Sequence, residues 1–222
     1  MCLGHGTEPG TTEHPLSGRR RHTALLHTLR DDELFRLFVA GEDEAYSALY
    51  ARYAARLLGY IHSIVGSTES AADDLFQETF LRLWRERDRC RRSDSLCLSN
   101  VGGWLFRVAR NLSLNHLRSR SYLTTLPPVF DESMAVPVEE AHAALFGDAG
   151  EEEGLLRAIN DVVETLPAAL REVFVLREVN GLSYRETATI MGCSEEAARM
   201  RLSRARSAIR RALEHVMRGE RS

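Results

Sequence analysis

The 222-residue chain contains no lysine; all 29 of its basic residues are arginine. It also contains no run approaching the ~20 uncharged apolar residues that a membrane-spanning helix needs, so membrane insertion is not expected. Met1 to Arg30 lacks the basic start and apolar core of a secretory leader, and a cytoplasmic protein is expected. Cysteine is scarce. Cys2, Cys90, Cys97 and Cys193 form no CxxC pair, which excludes a disulfide framework or a zinc site by spacing. Nowhere do apolar and polar residues alternate with the period of a strand. No nucleophile–His pairing or pocket-forming glycine-rich loop accompanies the acidic residues. The expectation is an all-α protein with no catalytic residues, no metal and no cofactor.

What is present is charge, unevenly placed. The net charge is −3, yet Ser121 to Glu153 holds no arginine and eight acids, from Asp131 to Glu153. Without that stretch the remainder is net positive. Basic modules joined by an acidic connector follow from this distribution. Guanidinium forks suit bidentate contacts to phosphates and base edges, so the arginine-only usage points the same way.

Residues 1–30 mix Gly, His, Thr and Pro and read as a disordered extension. A first folded block spans residues 31–120. Asp31 or Asp32 caps a short helix ending at Gly41. Ala45, Leu49, Tyr53, Leu57, Tyr60, Ile61 and Ile64 then recur at helical spacing up to Gly66. Ser67 and Thr68 start a third helix, with Leu75, Phe76, Phe80, Leu83 and Trp84. A polar loop from Arg89 to Asn100 leads to a fourth helix, from about Gly103 to Arg120, with Trp104, Leu105, Val108, Leu112 and Leu117. Residues 121–150, acidic and holding Pro127, Pro128 and Pro137, read as a flexible linker.

The second block spans residues 151–217. Leu155, Ile159, Val162, Val163 and Leu166 form one stripe. Pro167 opens a helix carrying Leu170, Val173, Phe174 and Leu176, which stops at Asn180-Gly181. Ser183 and Glu186 make a capping box for a short helix to Met191. Gly192 breaks that helix, and Ser194 caps a longer one. A short capped helix, a glycine-containing turn and a long helix are the sequence form of a helix-turn-helix, here residues 184–211. Ala188 allows close approach of the two helices, and Ile190 and Leu202 fill the space between them. The long helix displays Arg199, Arg201, Arg204 and Arg206 beside Ser203, as expected for a helix laid in a DNA major groove. Glu195 and Glu196 favour the helix dipole but repel phosphate, so either they face away or one accepts from a cytosine amino group.

Two further surfaces stand out. Asp74 and Glu78 lie one turn apart, with Gln77 nearby and an aromatic edge at Phe80, an acidic patch suited to basic partner helices. The fourth helix interleaves Trp104, Phe106, Arg107, Arg110, Asn111, Asn115, His116 and Arg118, the mixture that single-stranded nucleic acid binders use. Arg110, Asn111, Asn115 and Arg118 share one stripe, whereas Trp104 is expected in the core. His116 has no second metal ligand at helical spacing.

The segment Asp73-Asp74-Leu75-Phe76-Gln77-Glu78-Thr79-Phe80-Leu81-Arg82-Leu83-Trp84 resembles the core-binding helix of extracytoplasmic-function (ECF) sigma factors of the sigma-70 family. Trp104 to Asn111, continuing through Asn115-His116-Leu117-Arg118, is similar to their −10 reading helix. Leu166-Pro167, Arg171 to Phe174, Gly181 to Tyr184 and Arg201 to Arg206 resemble their −35 domain. The likeness covers about Asp31 to Met217 in the family's order.

It implies region 2 and region 4 folds and no enzyme activity. Asp74, Gln77, Glu78 and Phe80 would dock on the clamp helices of the largest subunit of core RNA polymerase, with the flap as a further contact. Arg107, Arg110, Asn111, Asn115 and Arg118 would hold an unpaired −10 strand. Ser194, Arg199, Arg201, Ser203, Arg204 and Arg206 would read −35 duplex. An anti-sigma factor and control of stress or signal-responsive genes are further implications. Glu196-Ala197 stands where the family often has Gly-Thr, so its −35 sequence is not carried over. The alternative is a helix-turn-helix regulator that never binds core polymerase.

Overall fold

A computed structural model describes residues 25–66, 70–92, 98–123 and 159–219, and the described residues contain helices and no strand. The expected disordered head, except for residues 25–30, and the expected linker beyond Leu123 lie outside the described residues. The described chain begins ahead of Asp31, with one helical turn over 25–28 that buries Leu26.

Helix α1 spans Asp31–Ala40 and α2 spans Asp43–Val65. The N-cap of α1 is Arg30, whose backbone N–H donates to Glu33, rather than Asp31 or Asp32. Asp31 is otherwise engaged. Its carboxylate accepts from Arg52 and from the Tyr53 hydroxyl, tying α1 to α2. Burial first, and then the Asp31 hydrogen bond and charge, push the Tyr53 phenol well above its ordinary value. Gly41 ends α1 in the left-handed conformation, at φ 109°, where a side chain would be strained.

Helix α3 spans Ala71–Arg92, longer than its apolar stripe alone predicts. Arg89 to Arg92, expected in the loop, continue the helix because Cys90 is buried and Glu86 pairs with Arg89 one turn on. Helix α4 spans Val101–Leu123. Asn100 initiates it, its side-chain oxygen accepting from the Gly103 N–H at 2.7 Å.

The first body is built around aromatics. Phe38 meets Trp84 edge-on at 4.8 Å between ring centroids, and Phe80 lies against Tyr46, Tyr50 and Phe76. The buried Arg87 guanidinium lies over both Phe38 and Trp84, at 4.8 and 4.6 Å. Helices α2 and α4 close on each other at Tyr53 and Gly102. A Cβ on Gly102 would stand 2.5 Å from the Tyr53 hydroxyl oxygen, which Asp31 holds in place. Gly102→Ala should therefore destabilise the protein by about 1–3 kcal/mol, despite alanine's better helix propensity. Denaturant titration followed by circular dichroism measures this; an unchanged midpoint would contradict the close approach.

In the second body, helix α5 is described over 159–165, and α6 spans Ala168–Phe174 with Pro167 at its N-cap. The chain then widens into a π-helical segment, Val175–Val179. The Asn180 backbone N–H and side-chain amide both donate to the Val175 carbonyl, at 3.0 and 2.9 Å, which closes the wider turn. Helix α7 spans Tyr184–Met191 and α8 spans Glu195–Gly219. Val162 and Leu166 are buried with Ala205 and Ile209 of α8.

The two bodies are in contact. Helices α2 and α4 of the first meet α6, the π segment and α7 of the second. The buried apolar core runs without a break from Tyr60, Leu105 and Phe106 into Val173, Leu176, Leu182 and Ile190.

Candidate nucleic-acid interface

The paired helices α7 and α8 owe their geometry to caps. The Ser183 oxygen accepts from the Glu186 N–H at 3.2 Å, and Glu186 accepts in return from the Ser183 N–H at 2.8 Å. Burial pushes the Glu186 carboxyl up, but the hydrogen bonds from Ser183 and Asn100 outweigh it and leave it below the ordinary carboxylate range. Gly192, at φ 67°, turns the chain, and the Cys193 N–H closes on the Ala188 carbonyl. The Ser194 hydroxyl accepts from the Ala197 N–H at 3.1 Å and starts α8. Ala188, Ile190 and Leu202 are buried between the helices as expected, while Cys193 is half-buried.

Loss of the cap should be measurable. Ser183→Ala should cost about 1 kcal/mol at pH 7. Because the folded-state pKa of Glu186 is lowered, its share of that stability is present above the unfolded carboxylate range. It is lost as pH falls through the folded value. The difference between wild type and variant in urea titrations should thus shrink in acid; a pH-independent difference would contradict the reciprocal cap.

On α8, Arg199, Ser203, Arg204 and Arg206 are exposed and Arg201 is half-buried. Arg199 pairs with Glu195 at 3.2 Å and lies over the Tyr184 ring at 4.9 Å; Arg177 lies over the same ring at 4.1 Å. Tyr184 is thus a platform for two guanidiniums, a role not apparent from sequence spacing. Arg206 pairs with Glu178 at 2.7 Å. Of the two first-turn acids, Glu195 is engaged by Arg199, and Glu196 is exposed.

On α4, Arg107, Asn111, Asn115 and Arg118 are exposed, and Arg118 donates to Asn115 at 3.3 Å. Arg110 behaves differently. Its Nε and Nη2 donate to the Glu172 carboxylate of α6 at 2.6 and 3.3 Å. Burial pulls the Arg110 guanidinium down, but the Glu172 bond and charge more than compensate, and its pKa is raised. Trp104 is half-buried against the core, in line with the sequence expectation.

On α3, Asp73, Asp74 and Gln77 face solvent. Glu78 accepts from Arg82 at 3.0 Å and Arg85 at 2.9 Å. Chiefly through the Arg82 bond, its carboxyl is held below the ordinary range. Phe80 is only 3 % exposed, so its ring forms the floor of this patch, and the exposed apolar groups beside it are Tyr50 and Leu81.

Sequence reading missed the residues that join the two bodies: Tyr60, Glu172, Arg56, Asn180 and Asn100. Only Asn100 carried a local signal, a capping side chain three residues before a helical glycine. Among the described residues no three His, Cys, Asp or Glu side chains converge as a metal site, and no helix is long and apolar enough to cross a membrane.

Comparison with known proteins bears on what this arrangement is. Residues 49–122 match the family model described as sigma-70 region 2, and residues 156–215 match sigma-70 region 4. The chain is 33 % identical over 201 residues to the RNA polymerase sigma-H factor of Pseudomonas aeruginosa, covering 87 % of this chain and 99 % of that protein. It is 32 % identical over 188 residues to the ECF RNA polymerase sigma-E factor of Escherichia coli, covering 82 % and 93 %. Among solved structures, it is similar to the sigma factor RpoE of Bartonella quintana, determined in complex with the anti-sigma factor NepR. That match has a TM-score of 0.54 and 26 % identity, covering 76 % of this chain and 96 % of that one. CnrH, solved with the cytosolic domain of CnrY, shares the fold at a TM-score of 0.56 and 24 % identity, covering 84 % and 99 %. The chain therefore belongs to the sigma-70 family of RNA polymerase sigma factors, and within it to the ECF type.

Proposed function

We propose that this sigma factor binds core RNA polymerase and promoter DNA together, and itself catalyses no reaction. The observation that carries the reading is the distribution of exposed charge over three helices. Acids Asp73 and Asp74 face outward on α3, and arginines face outward on both α4 and α8.

In this reading Asp74, Gln77 and Glu78 meet basic clamp helices of the polymerase, with Phe80 fixing the helix from below. The polymerase flap is a further contact. Arg107, Asn111, Asn115 and Arg118 take an unpaired −10 strand, joined by Arg110 once it is released from Glu172. Arg199, Arg201, Ser203, Arg204 and Arg206 meet −35 duplex, with Ser194 presenting the helix start. Strand opening is then differential binding: bases held outside the stack offset an unstacking cost of a few kcal/mol. Core polymerase supplies the nucleotidyl transfer. An anti-sigma partner, a role in stress or signal-responsive transcription and a cytoplasmic location complete the proposal; the Bartonella quintana relative solved with the anti-sigma factor NepR supports the first of these.

The rival reading, a regulator that never engages polymerase, makes a different prediction in one assay. Titration of fluorescently labelled full-length chain with core polymerase should give saturable binding in the nanomolar range. No binding at micromolar core would favour the rival.

A further inference from the structure

The Glu172 carboxylate is 9 % exposed, belongs to region 4, and has its hydrogen-bond donors in region 2. The fully buried Tyr60 hydroxyl donates to it at 2.8 Å, and the Arg110 fork closes on it from the other side. Further bonds cross the same junction. Arg56 donates to the Asn180 carbonyl at 2.5 Å and to its side chain at 3.3 Å. The Asn100 amide, whose oxygen starts α4, donates to the capping carboxylate of Glu186 at 2.9 Å. Arg171 reaches back to the Ser63 carbonyl at 3.3 Å. Helix α7, the first of the helix-turn-helix, covers part of α4, and the cleft beside them is lined by Trp104 and Arg107 on one side and Arg185 and Glu186 on the other.

We infer that Glu172 is an intramolecular latch: its carboxylate occupies on Arg110 the place of a DNA phosphate and holds the chain in a closed form that cannot grip the −10 strand. The inference rests on the proposed assignment of α4 to that strand. Glu172 occupies the Nε–Nη2 edge of the mostly buried Arg110 guanidinium, so a phosphate cannot take that fork while Glu172 holds it, and the carboxylate offsets the charge that would attract a phosphate to the other edge. Separation of the two bodies frees Arg110 and uncovers the start of α4 in one movement. The latch is also releasable. Desolvation of a buried ion pair consumes most of its coulombic gain, so the Glu172–Arg110 pair itself adds little to the closed form when both charges are rehydrated on opening, and the apolar contact beside it carries most of the cost of separation. The −35 helix is not part of the latch, since Arg199, Arg204 and Arg206 remain exposed in the closed form.

The test uses the full-length chain without polymerase. Wild type, Glu172→Gln and Tyr60→Phe are compared by small-angle X-ray scattering and by fluorescence anisotropy with two probes, a mixed-sequence 20-nucleotide single strand and a mixed-sequence duplex. Tyr60→Phe removes one donor to Glu172 while keeping the ring beside Phe106, and thermal melts verify that both variants fold. The expected result is a larger radius of gyration and about tenfold tighter single-strand binding for Glu172→Gln. A smaller change of the same sign is expected for Tyr60→Phe, and duplex affinity should stay within twofold. Unchanged radius and unchanged single-strand affinity in both folded variants would overturn the latch, while loss of single-strand binding in Arg110→Ala would still uphold the DNA reading of α4. An enlarged radius with no gain in single-strand affinity would instead overturn the assignment of Arg110 to DNA, and with it the latch's role. Equal gains on single strand and duplex would also overturn it, by reducing the effect to net charge.

Discussion

Reversing both carboxylates of the α3 patch, Asp74→Arg with Glu78→Arg, is expected to weaken core polymerase binding by at least about 100-fold. The reasoning is electrostatic. Each carboxylate that meets a basic partner helix becomes a like charge, and like-charge contacts at an interface cost several kcal/mol; a factor of 100 needs only about 2.8 kcal/mol. The two positions differ in weight. Asp74 is exposed, whereas Glu78 already shares its charge with Arg82 and Arg85. Asp74→Arg alone should therefore account for most of the loss. Equilibrium titration of labelled protein with core polymerase reads both variants, and duplex DNA binding serves as the control that region 4 is intact. A double reversal that still binds core within threefold of wild type would remove α3 from the polymerase interface.

The second large effect is expected on α8. Arg204 is exposed on the recognition helix and makes no ion pair among the described residues, unlike Arg199 and Arg206, which Glu195 and Glu178 engage. Arg204→Ala should cost about 1–3 kcal/mol of −35 duplex affinity, or roughly 5- to 150-fold. Salt dependence separates the two ways in which Arg204 can act. A phosphate contact predicts uniform weakening across sequences and a salt slope reduced by about 1, whereas a base contact predicts relaxed preference at one position. Binding unchanged on every sequence and at every salt concentration would exclude Arg204 from the duplex interface.

Much of this surface was legible in the residue order because its signals are local. The capping box of Ser183 and Glu186, the left-handed Gly192 and the Ser194 cap are each fixed by neighbours within four residues, and all three form as read. The apolar stripe of α2 likewise gives its helix directly, and that of α3 gives the helix but not its last turn; the expected start at Ser67 and Thr68 lies outside the described residues. What was illegible depends on partners distant in the chain. Arg110 lies on one helical stripe with Asn111, Asn115 and Arg118, and spacing alone assigns it to DNA with them. Its engagement by Glu172, 62 residues away, is a tertiary event. Asp31 does not cap α1 because Arg52 and Tyr53 compete for its carboxylate. Phe80 reads both as part of the apolar stripe with Leu83 and as the aromatic edge of the acidic patch, and the structure places it in the core, against Tyr46, Tyr50 and Phe76. The π segment has no compositional mark at all, since Asn180 closes it through its side chain.

The contact between the two bodies changes how the charge pattern is understood. A net-negative chain that binds DNA must present its arginines selectively, and here the fold does so by leaving Arg199, Arg204 and Arg206 of α8 outward while turning Arg110 inward. The interface combines the hydrogen bonds on Glu172 with a continuous apolar core. Intrachain interfaces between domains permit relative motion unless they are large and hydrophobic. An unpaired −10 strand would then favour the separated arrangement, since only that arrangement frees Arg110.

The most direct test of the central claim, that one chain grips polymerase and two promoter elements together, is run-off transcription on genomic fragments with purified core polymerase. With the full-length protein, discrete new start sites should appear; they should disappear with the Asp74 and Glu78 reversal and weaken with Arg204→Ala. Start sites that are the same with and without the protein would contradict the account.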